Sequence, residues 1–193
     1  MKKIAVFASG FGSNFEAIVE SVNGGELIAE IVLLVSDKPD CFAVERALNH
    51  QIETFTFNPK EYSSRDDYET EIVALLADKK VDLIVLAGYM RLIGNVLLNK
   101  FAGKIINIHP ALLPAFPGTH AIEDAYRYGV KVFGVTIHYV DEGVDTGKII
   151  AQDCFKIEGH ETIEEVENKI HHIEHRLYPD VIQKLLSNSF STN

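Results

Sequence analysis

The chain has 193 residues, of which 47% are hydrophobic and 24% charged, with a formal net charge of −10 and two cysteines. The acidic balance argues against nucleic acid as a partner. The apolar runs are shorter than the roughly 18 residues that span a membrane, and two cysteines are too few for a disulfide framework. We therefore expect one cytoplasmic domain over residues 1–193, with no nucleic acid and no membrane as partners. The charge does not exclude a small anionic ligand, and a homodimer is left open.

The first hundred residues alternate short apolar runs, typical of buried strands, with helical patterns. Strands are predicted at 3–9, 28–35, 53–57 and 81–87. Helices are predicted after the turn at 9–14, at 42–49 and at 64–79. Strands that alternate with helices of this length indicate a parallel, doubly wound sheet with right-handed crossovers and helices on both faces.

The chain changes its pattern near residue 100. A strand is predicted at 104–108, a short helix at 121–128, and two strands at 132–140 and 148–157. The loop "DEGVDTG" between the last two strands holds no crossover helix, so these strands form an antiparallel hairpin and the α/β sheet is mixed and Rossmann-like. A long C-terminal helix opens at Thr162, with Glu165 at capping-box spacing, and a frayed tail is predicted for "SNSFSTN".

The turn "SGFGSN" follows a strand and precedes a helix. Gly10 and Gly12 permit a close backbone approach, and free N–H groups at the start of a helix favour an anion. Ser13 and Asn14 add side-chain donors, which suits a single phosphate monoester better than a pyrophosphate.

Two alternatives to phosphate binding stay open for this turn. A dinucleotide fingerprint has a glycine where this chain has Phe15, although Asp37 at the end of the second strand could imitate the acid that binds a ribose. A plain capped turn would use Ser13 as the N-cap and Glu16 as its partner.

The stretch "NIHPALLPAFPG", residues 107–118, puts Asn107 and His109 at the start of a stiff segment. Proline fixes its own φ and restricts the residue before it. The segment is either a polar loop crossing the edge of the sheet or a site whose donors are held still to stabilise developing charge.

Further candidate groups lie downstream. A carboxylate of the hairpin loop would gain chemical meaning if it met His109, because a nearby acid orients an imidazole. His120 and His138 could face the same cleft or serve as structural histidines. The run "HHIEH" at 171–175 contains H-x-x-E-H, a zinc pattern, which needs a third ligand and is short enough to arise by chance.

These segments together resemble the folate-dependent formyltransferases, and among them the phosphoribosylglycinamide formyltransferase family. The resemblance covers essentially the whole chain. It rests on "ASGFGSNFEAI", "AGYMRLI", "NIHPALLPAFPG", "GVTIHYVDEGVDTGKIIAQ" and "IEHRLYP".

The resemblance implies transfer of the formyl group from 10-formyltetrahydrofolate, a co-substrate, to the amine of glycinamide ribonucleotide in de novo purine biosynthesis, without a metal. It implies a phosphate-binding half at 1–100 and a catalytic and folate-binding half at 101–193. The implied catalytic residues are Asn107, His109 and Asp145, and the implied substrate-binding residues are Gly12, Ser13, Asn14 and Glu174. The implied folate-binding residues are Arg65, Met90, Arg91, Leu92, Ile93, Val140, Asp141, Glu142, Gly143 and Val144, and His120, Thr136 and His138 would support the site.

Three positions depart from the common pattern of this family, which has glutamine, serine and proline where this chain has Glu16, Ala111 and Lys148. Glu16 matters most, because a carboxylate beside a phosphate is repulsive. Two other functions stay open at this stage: a hydrolase that releases formate from the same folate, and a noncatalytic sensor of a phosphorylated ligand.

Overall fold

A seven-stranded mixed sheet forms the centre of the molecule. The computed structural model describes residues 1–188. The strands are β1 (Lys2–Phe7), β2 (Ala29–Ser36), β3 (Thr54–Thr56), β4 (Leu83–Leu86), β5 (Ile105–His109), β6 (Val132–Tyr139) and β7 (Ile149–Lys156). The helices are α1 (Ser13–Asn23), α2 (Phe42–Asn49), α3 (Arg65–Asp78), α4 (Asn95–Lys100), α5 (Ala121–Tyr128) and α6 (Ile163–Asn188), with a 3₁₀ turn at Pro59–Glu61.

The strand order is β3-β2-β1-β4-β5-β6-β7. Strands β1 to β5 are parallel to their neighbours, whereas β6 runs antiparallel to β5 and β7 antiparallel to β6. This confirms the predicted mixed sheet. The order reverses between β1 and β4, and such a switch point opens a crevice outside the carboxyl ends of the strands.

Two apolar layers cover the two faces of the sheet. In β1, Ile4 and Val6 belong to one layer and Ala5 and Phe7 to the other, as the two-residue period of a strand requires. The first layer includes residues of α1, α2 and α6, and the second includes residues of α3 and α4. Helices on both faces explain why these strands read as continuous apolar runs. Among the helices of residues 1–188, none is long and apolar enough to span a membrane.

The helix starts show where local sequence signals hold and where they fail. Thr162 and Glu165 form the predicted capping box, with reciprocal bonds of 2.8 and 3.2 Å. The capped-turn alternative at α1 is wrong, because the N-cap is Gly12 in the left-handed region (φ 76°) and no side chain caps the helix. Helix α4 and the 3₁₀ turn were not predicted. The predicted frayed tail spans residues 187–193. Its first two residues, 187 and 188, belong to α6, and the rest lies outside the described residues.

Tyr178 anchors α6 to the carboxyl ends of the central strands. Its side chain is fully buried, and its hydroxyl donates to the carbonyl oxygens of Leu86 at 2.8 Å and Ile106 at 3.2 Å. Burial raises the pKa of Tyr178 well above its ordinary value, so the hydroxyl keeps its proton. The helix that carries part of the cleft wall is thereby fixed to β4 and β5.

We expect Tyr178→Phe to lower the free energy of unfolding by about 1–2 kcal/mol, because it removes the buried hydrogen bonds to the Leu86 and Ile106 carbonyls while the ring still fills its space. Urea denaturation followed by circular dichroism measures the change. Tyr128→Phe is the matched control, since Tyr128 is 80% exposed and its loss of a hydroxyl leaves the midpoint unchanged. Equal midpoints for Tyr178→Phe and wild type would contradict the anchoring role.

Candidate active site

A cavity of about 430 Å³ lies at the switch point, between the turn after β1, the loops after β4 and β5, the hairpin loop and α6. Most of the site residues expected from the sequence line it. They are Gly12, Ser13, Asn14, Met90, Arg91, Leu92, Ile93, Asn107, His109, His138, Val140, Asp141, Glu142, Gly143, Val144, Asp145 and Glu174.

Three expected site residues stand outside this lining. Thr136 is buried beneath the cleft, where its hydroxyl donates to the Ala111 carbonyl at 2.7 Å and accepts from the Leu113 N–H at 3.0 Å, so it fixes the proline-rich loop. His120 is exposed at the N-cap of α5. Arg65 begins α3 and lies over Gly94, away from the cavity wall.

The hairpin loop brings Asp145 to His109, the contact that would give its carboxylate a chemical role. Oδ2 of Asp145 accepts from the Gly118 N–H at 2.8 Å and lies 3.4 Å from Nδ1 of His109. The other ring nitrogen, Nε2, donates to the Phe116 carbonyl at 2.8 Å. Both ring nitrogens therefore face acceptors, an arrangement that an imidazolium satisfies with two N–H groups.

His138 links Asp145 to Asn107. Its Nδ1 donates to the Tyr139 carbonyl at 2.8 Å, and its Nε2 lies 3.3 Å from Nδ2 of Asn107. A ring with one proton accepts the amide N–H at Nε2, and a ring with two protons donates from Nε2 to the carboxylate. The same Nε2 lies 3.6 Å from Oδ1 of Asp145. The amide nitrogen of Asn107 is thus oriented by His138, with a second N–H left for another acceptor.

The charge state of Asp145 follows from these neighbours. Burial acts to raise its pKa, but the imidazoles of His138 and His109 and the Gly118 N–H outweigh burial and hold the pKa below the ordinary value. Asp145 also adopts a left-handed backbone conformation (φ 55°), which is uncommon for a residue other than glycine. The side chain is an anion held in a defined place at neutral pH.

The turn after β1 has the shape of an anion site. Gly12 has φ 76°, and a Cβ there would lie 2.8 Å from Cα of Ala43, so a side chain does not fit. Glycine is therefore required where the turn packs against α2, and the turn itself lines the cavity at the start of α1, where backbone N–H groups lack helical partners. Glu16 turns away and pairs with Arg46 at 3.0 Å and His50 at 2.7 Å, which removes the repulsion expected from its carboxylate.

The other two departures from the family pattern leave the cavity lining intact. Ala111 is buried below the cleft beside Thr136. The side chain of Lys148 is exposed, and its carbonyl accepts from the Tyr139 N–H at 2.9 Å within the hairpin.

Helix α6 contributes Glu174 to the same end of the cavity. Its buried Oε2 accepts from Asn14 Nδ2 at 3.2 Å and from His171 Nδ1 at 2.9 Å. Within the described part of the chain, the buried Oδ1 of Asn14 receives no hydrogen bond. The hydrogen bond with Glu174 raises the pKa of His171, although partial burial opposes this. His171 lines the cavity, and the sequence did not predict it as a residue of this site.

The residues of the zinc pattern "HHIEH" contact one another instead of forming a metal site. His171 is engaged with Glu174, and His175 stacks on it with ring centroids 6.1 Å apart. Among residues 1–188 there is no group of three or more histidine, cysteine, aspartate or glutamate side chains placed to hold a metal ion.

The dinucleotide alternative fails at Asp37. Its Oδ1 accepts from the Ser9 hydroxyl, and its Oδ2 accepts from Arg91 Nε at 2.9 Å. The side chain is 3% exposed, so both carboxylate oxygens are committed inside the protein and do not reach a ribose.

Fold and site together define an α/β protein with an Asn–His–Asp cluster and a glycine turn before a helix at the switch point of its sheet. The family model described as formyl transferase matches residues 2–182, and the chain belongs to this family. A phosphoribosylglycinamide formyltransferase of Bacillus subtilis (strain 168) is 55% identical over 96% of this chain and 95% of that protein.

Solved structures agree with this assignment. Phosphoribosylglycinamide formyltransferase from Bacillus halodurans matches with a TM-score of 0.93 and 54% identity, over 97% of both chains. Glycinamide ribonucleotide transformylase 1 from Geobacillus kaustophilus matches with a TM-score of 0.94 and 53% identity, over 96% of this chain and 99% of that one.

Proposed function

We propose that this protein transfers the formyl group of 10-formyltetrahydrofolate to the primary amine of glycinamide ribonucleotide, a step of de novo purine biosynthesis. The observation that carries the proposal is one cavity that holds on its walls the glycine turn at the start of α1 and the Asn107, His109 and Asp145 cluster. The names of relatives that are 53–55% identical over nearly the whole chain support the same substrate.

The acceptor fits with its phosphate at the start of α1. The N–H groups of Ser13 and Asn14 would bind the phosphate oxygens, with Gly12 holding the turn in its left-handed conformation against α2. Glu174 would accept hydrogen bonds from the ribose hydroxyls, because its buried carboxylate borders the same turn. The amine would then extend toward Asn107 and His109.

The folate would occupy the apolar part of the cavity. Its pterin ring would lie between the 90–93 segment and the hairpin loop, whose residues line the wall. Each half of the chain thus contributes to both subsites, and we treat residues 1–193 as one formyltransferase domain, with phosphate contacts mainly from 1–100 and catalytic residues from 101–193.

The amine would attack the formyl carbon and give a tetrahedral intermediate with an oxyanion. The free N–H of Asn107 and an N–H of His109 would donate to this oxygen, with the substrate oxygen replacing the Phe116 carbonyl at Nε2. Collapse breaks the bond from carbon to N10 of the folate. The attacking nitrogen loses one proton and N10 gains one. His109 is placed to transfer this proton between the two nitrogens.

The direct test incubates the purified protein with 10-formyltetrahydrofolate, with and without glycinamide ribonucleotide, and follows the folate absorbance. We expect turnover only when the acceptor is present. Equal turnover without the acceptor would identify a hydrolase, and ligand binding without any turnover would identify a sensor.

We expect Asp145→Asn to lower kcat by about 10²-fold or more, with small changes in both KM values, because the loss of the carboxylate removes the charge that supports an imidazolium at His109. Steady-state kinetics between about pH 6 and pH 8 measures this, a range in which the lowered pKa keeps Asp145 ionised in the wild type. Asp40→Asn, an exposed change of equal charge, is the control. Wild-type kcat in the Asp145 variant would remove this residue from the mechanism.

His171 should make acceptor binding depend on pH. Its raised pKa keeps the ring protonated above the ordinary range near 6.5, and the positive charge is lost as pH rises through the raised pKa. The nearby charged groups are Glu174 and Glu167, with His175 stacked beside the ring and Asn14 facing from α1. A phosphate monoester loses its second proton near about pH 6, so the phosphate and the ring carry opposite charges below the raised pKa of His171.

We therefore expect the KM for glycinamide ribonucleotide to rise severalfold in the wild type as pH increases through the raised pKa of His171, and to rise less steeply in His171→Lys. In His171→Gln the KM should be raised at lower pH and should converge on the wild-type value once the wild-type ring has lost its charge. His172→Gln alters an exposed neighbour and serves as the control. Identical pH profiles for wild type and His171→Lys would show that His171 supplies no charge to the phosphate.

A further inference from the structure

Asp37 is a buried carboxylate that the reaction described above does not use. It follows β2, and its partners come from the segments after β1 and after β4, so it joins three neighbouring strand ends. Burying a carboxylate is costly unless it is paired and hydrogen-bonded. The partners of this carboxylate belong to segments that border the cleft, so we ask what Asp37 contributes to the cleft.

We propose that Asp37 is a positioning residue for the folate pocket, holding the segment 88–93 in the conformation that receives the pterin ring. This inference rests on the proposed function, which places the folate against that segment. Gly88, Tyr89, Met90, Arg91, Leu92 and Ile93 all line the cavity.

The first connection runs through Ser9. The Ser9 hydroxyl donates its single proton to Oδ1 of Asp37, and its oxygen accepts from the Met90 N–H at 2.9 Å. The Ser9 N–H also donates to the Gly88 carbonyl at 3.0 Å. Because Asp37 only accepts, it fixes the direction of the hydroxyl and leaves a lone pair for the Met90 N–H.

The second connection runs through Arg91. Its Nε donates to Oδ2 of Asp37 at 2.9 Å, while the side chain as a whole is 45% exposed. The ion pair fixes the side chain of Arg91, a residue that lines the cavity, against the protein. One carboxylate therefore holds both the backbone of the segment and one of its charged side chains.

Apolar packing does not hold the middle of this segment. Met90 and Leu92 are 58% and 57% exposed, whereas Ile93 is buried and Tyr89 packs edge-on against Phe7 with ring centroids 5.3 Å apart. The two ends are anchored by packing, and the centre depends on polar contacts. Loss of these contacts should loosen the pocket wall without unfolding the sheet.

Asp37→Asn is the decisive variant, because an amide presents one acceptor where the carboxylate presents two. Either Ser9 or Arg91 therefore loses its acceptor. An amide N–H that faces Ser9 would also turn the Ser9 hydroxyl proton away from residue 37 and disturb the acceptor of the Met90 N–H. We expect the KM for 10-formyltetrahydrofolate to rise about tenfold, the equivalent of one such hydrogen bond, with the KM for glycinamide ribonucleotide unchanged and kcat at saturation within about threefold.

Ser9→Ala tests the relay separately, because it removes the acceptor of the Met90 N–H and leaves the Asp37–Arg91 pair. Its folate KM should rise in the same direction, and the double variant should show less than the product of the two single effects, since both act on one connection. Independent, multiplicative effects would overturn the relay through Ser9.

Asp82→Asn is the matched control for a purely structural role. Asp82 also accepts a backbone N–H, from Lys3 at 2.9 Å, and pairs with Lys2 at 3.1 Å, but it lies at the opposite end of the sheet. We expect it to leave both KM values unchanged, because its partners lie away from the cleft. Equal folate KM shifts in the two variants would assign Asp37 to stability alone.

Calorimetric titration with tetrahydrofolate, the product, separates this inference from the proposed function. If wild type neither binds the folate nor transfers formyl, the proposed function fails. If wild type binds and transfers while Asp37→Asn stays folded and binds the folate with unchanged affinity, the proposed function stands and the positioning role of Asp37 is overturned.

Discussion

The reversal of strand order between β1 and β4 is the constraint on which the rest of this molecule depends. The chain leaves β1 toward α1 on one face and leaves β4 toward α4 on the other, so the two loops diverge and a crevice opens between them. The antiparallel hairpin then brings its loop back over the same crevice from β6. The proposed phosphate turn, pterin wall and catalytic cluster share one cavity because the sheet places their loops at one edge.

An acidic protein can offer a site to an anion only if its own carboxylates are neutralised locally. Glu16 is paired with Arg46 and His50, Glu174 accepts from His171, and Asp37 is matched by Arg91. These partners leave the N–H groups at the start of α1 and a few cationic side chains to set the local potential. The formal net charge of −10 therefore says little about the field inside the cleft.

Sequence patterns predicted the elements well where local signals and packing agree. The bounds of α2 and α5 match the prediction, and the strands fall within one or two residues of it, because apolar periodicity and turn residues mark them. Helix α4 escaped prediction because it has only six residues. Ser13 and Glu16 have the same spacing as the true capping box at Thr162, but the left-handed conformation of Gly12 moves the start of α1. Contacts between segments distant along the chain, such as Asp145 with His109 or Asp37 with Arg91, depend on register and topology and leave no local pattern.

Two parts of the cleft set hydrogen-bond direction in the same way. Beside the proposed catalytic cluster, the Tyr139 carbonyl takes an N–H from Nδ1 of His138, so in a ring with one proton Nε2 accepts and the Asn107 amide turns its nitrogen toward the ring. Beside the proposed folate wall, the carboxylate of Asp37 takes the Ser9 proton, so the hydroxyl oxygen accepts from Met90. In each case a group that can only accept, a carbonyl or a carboxylate, binds the proton of a neighbouring side chain. That side chain, His138 or Ser9, then presents an acceptor to the next N–H group. A cleft built from such relays binds its ligands with donors already aimed, which lowers the cost of reorganisation during the reaction.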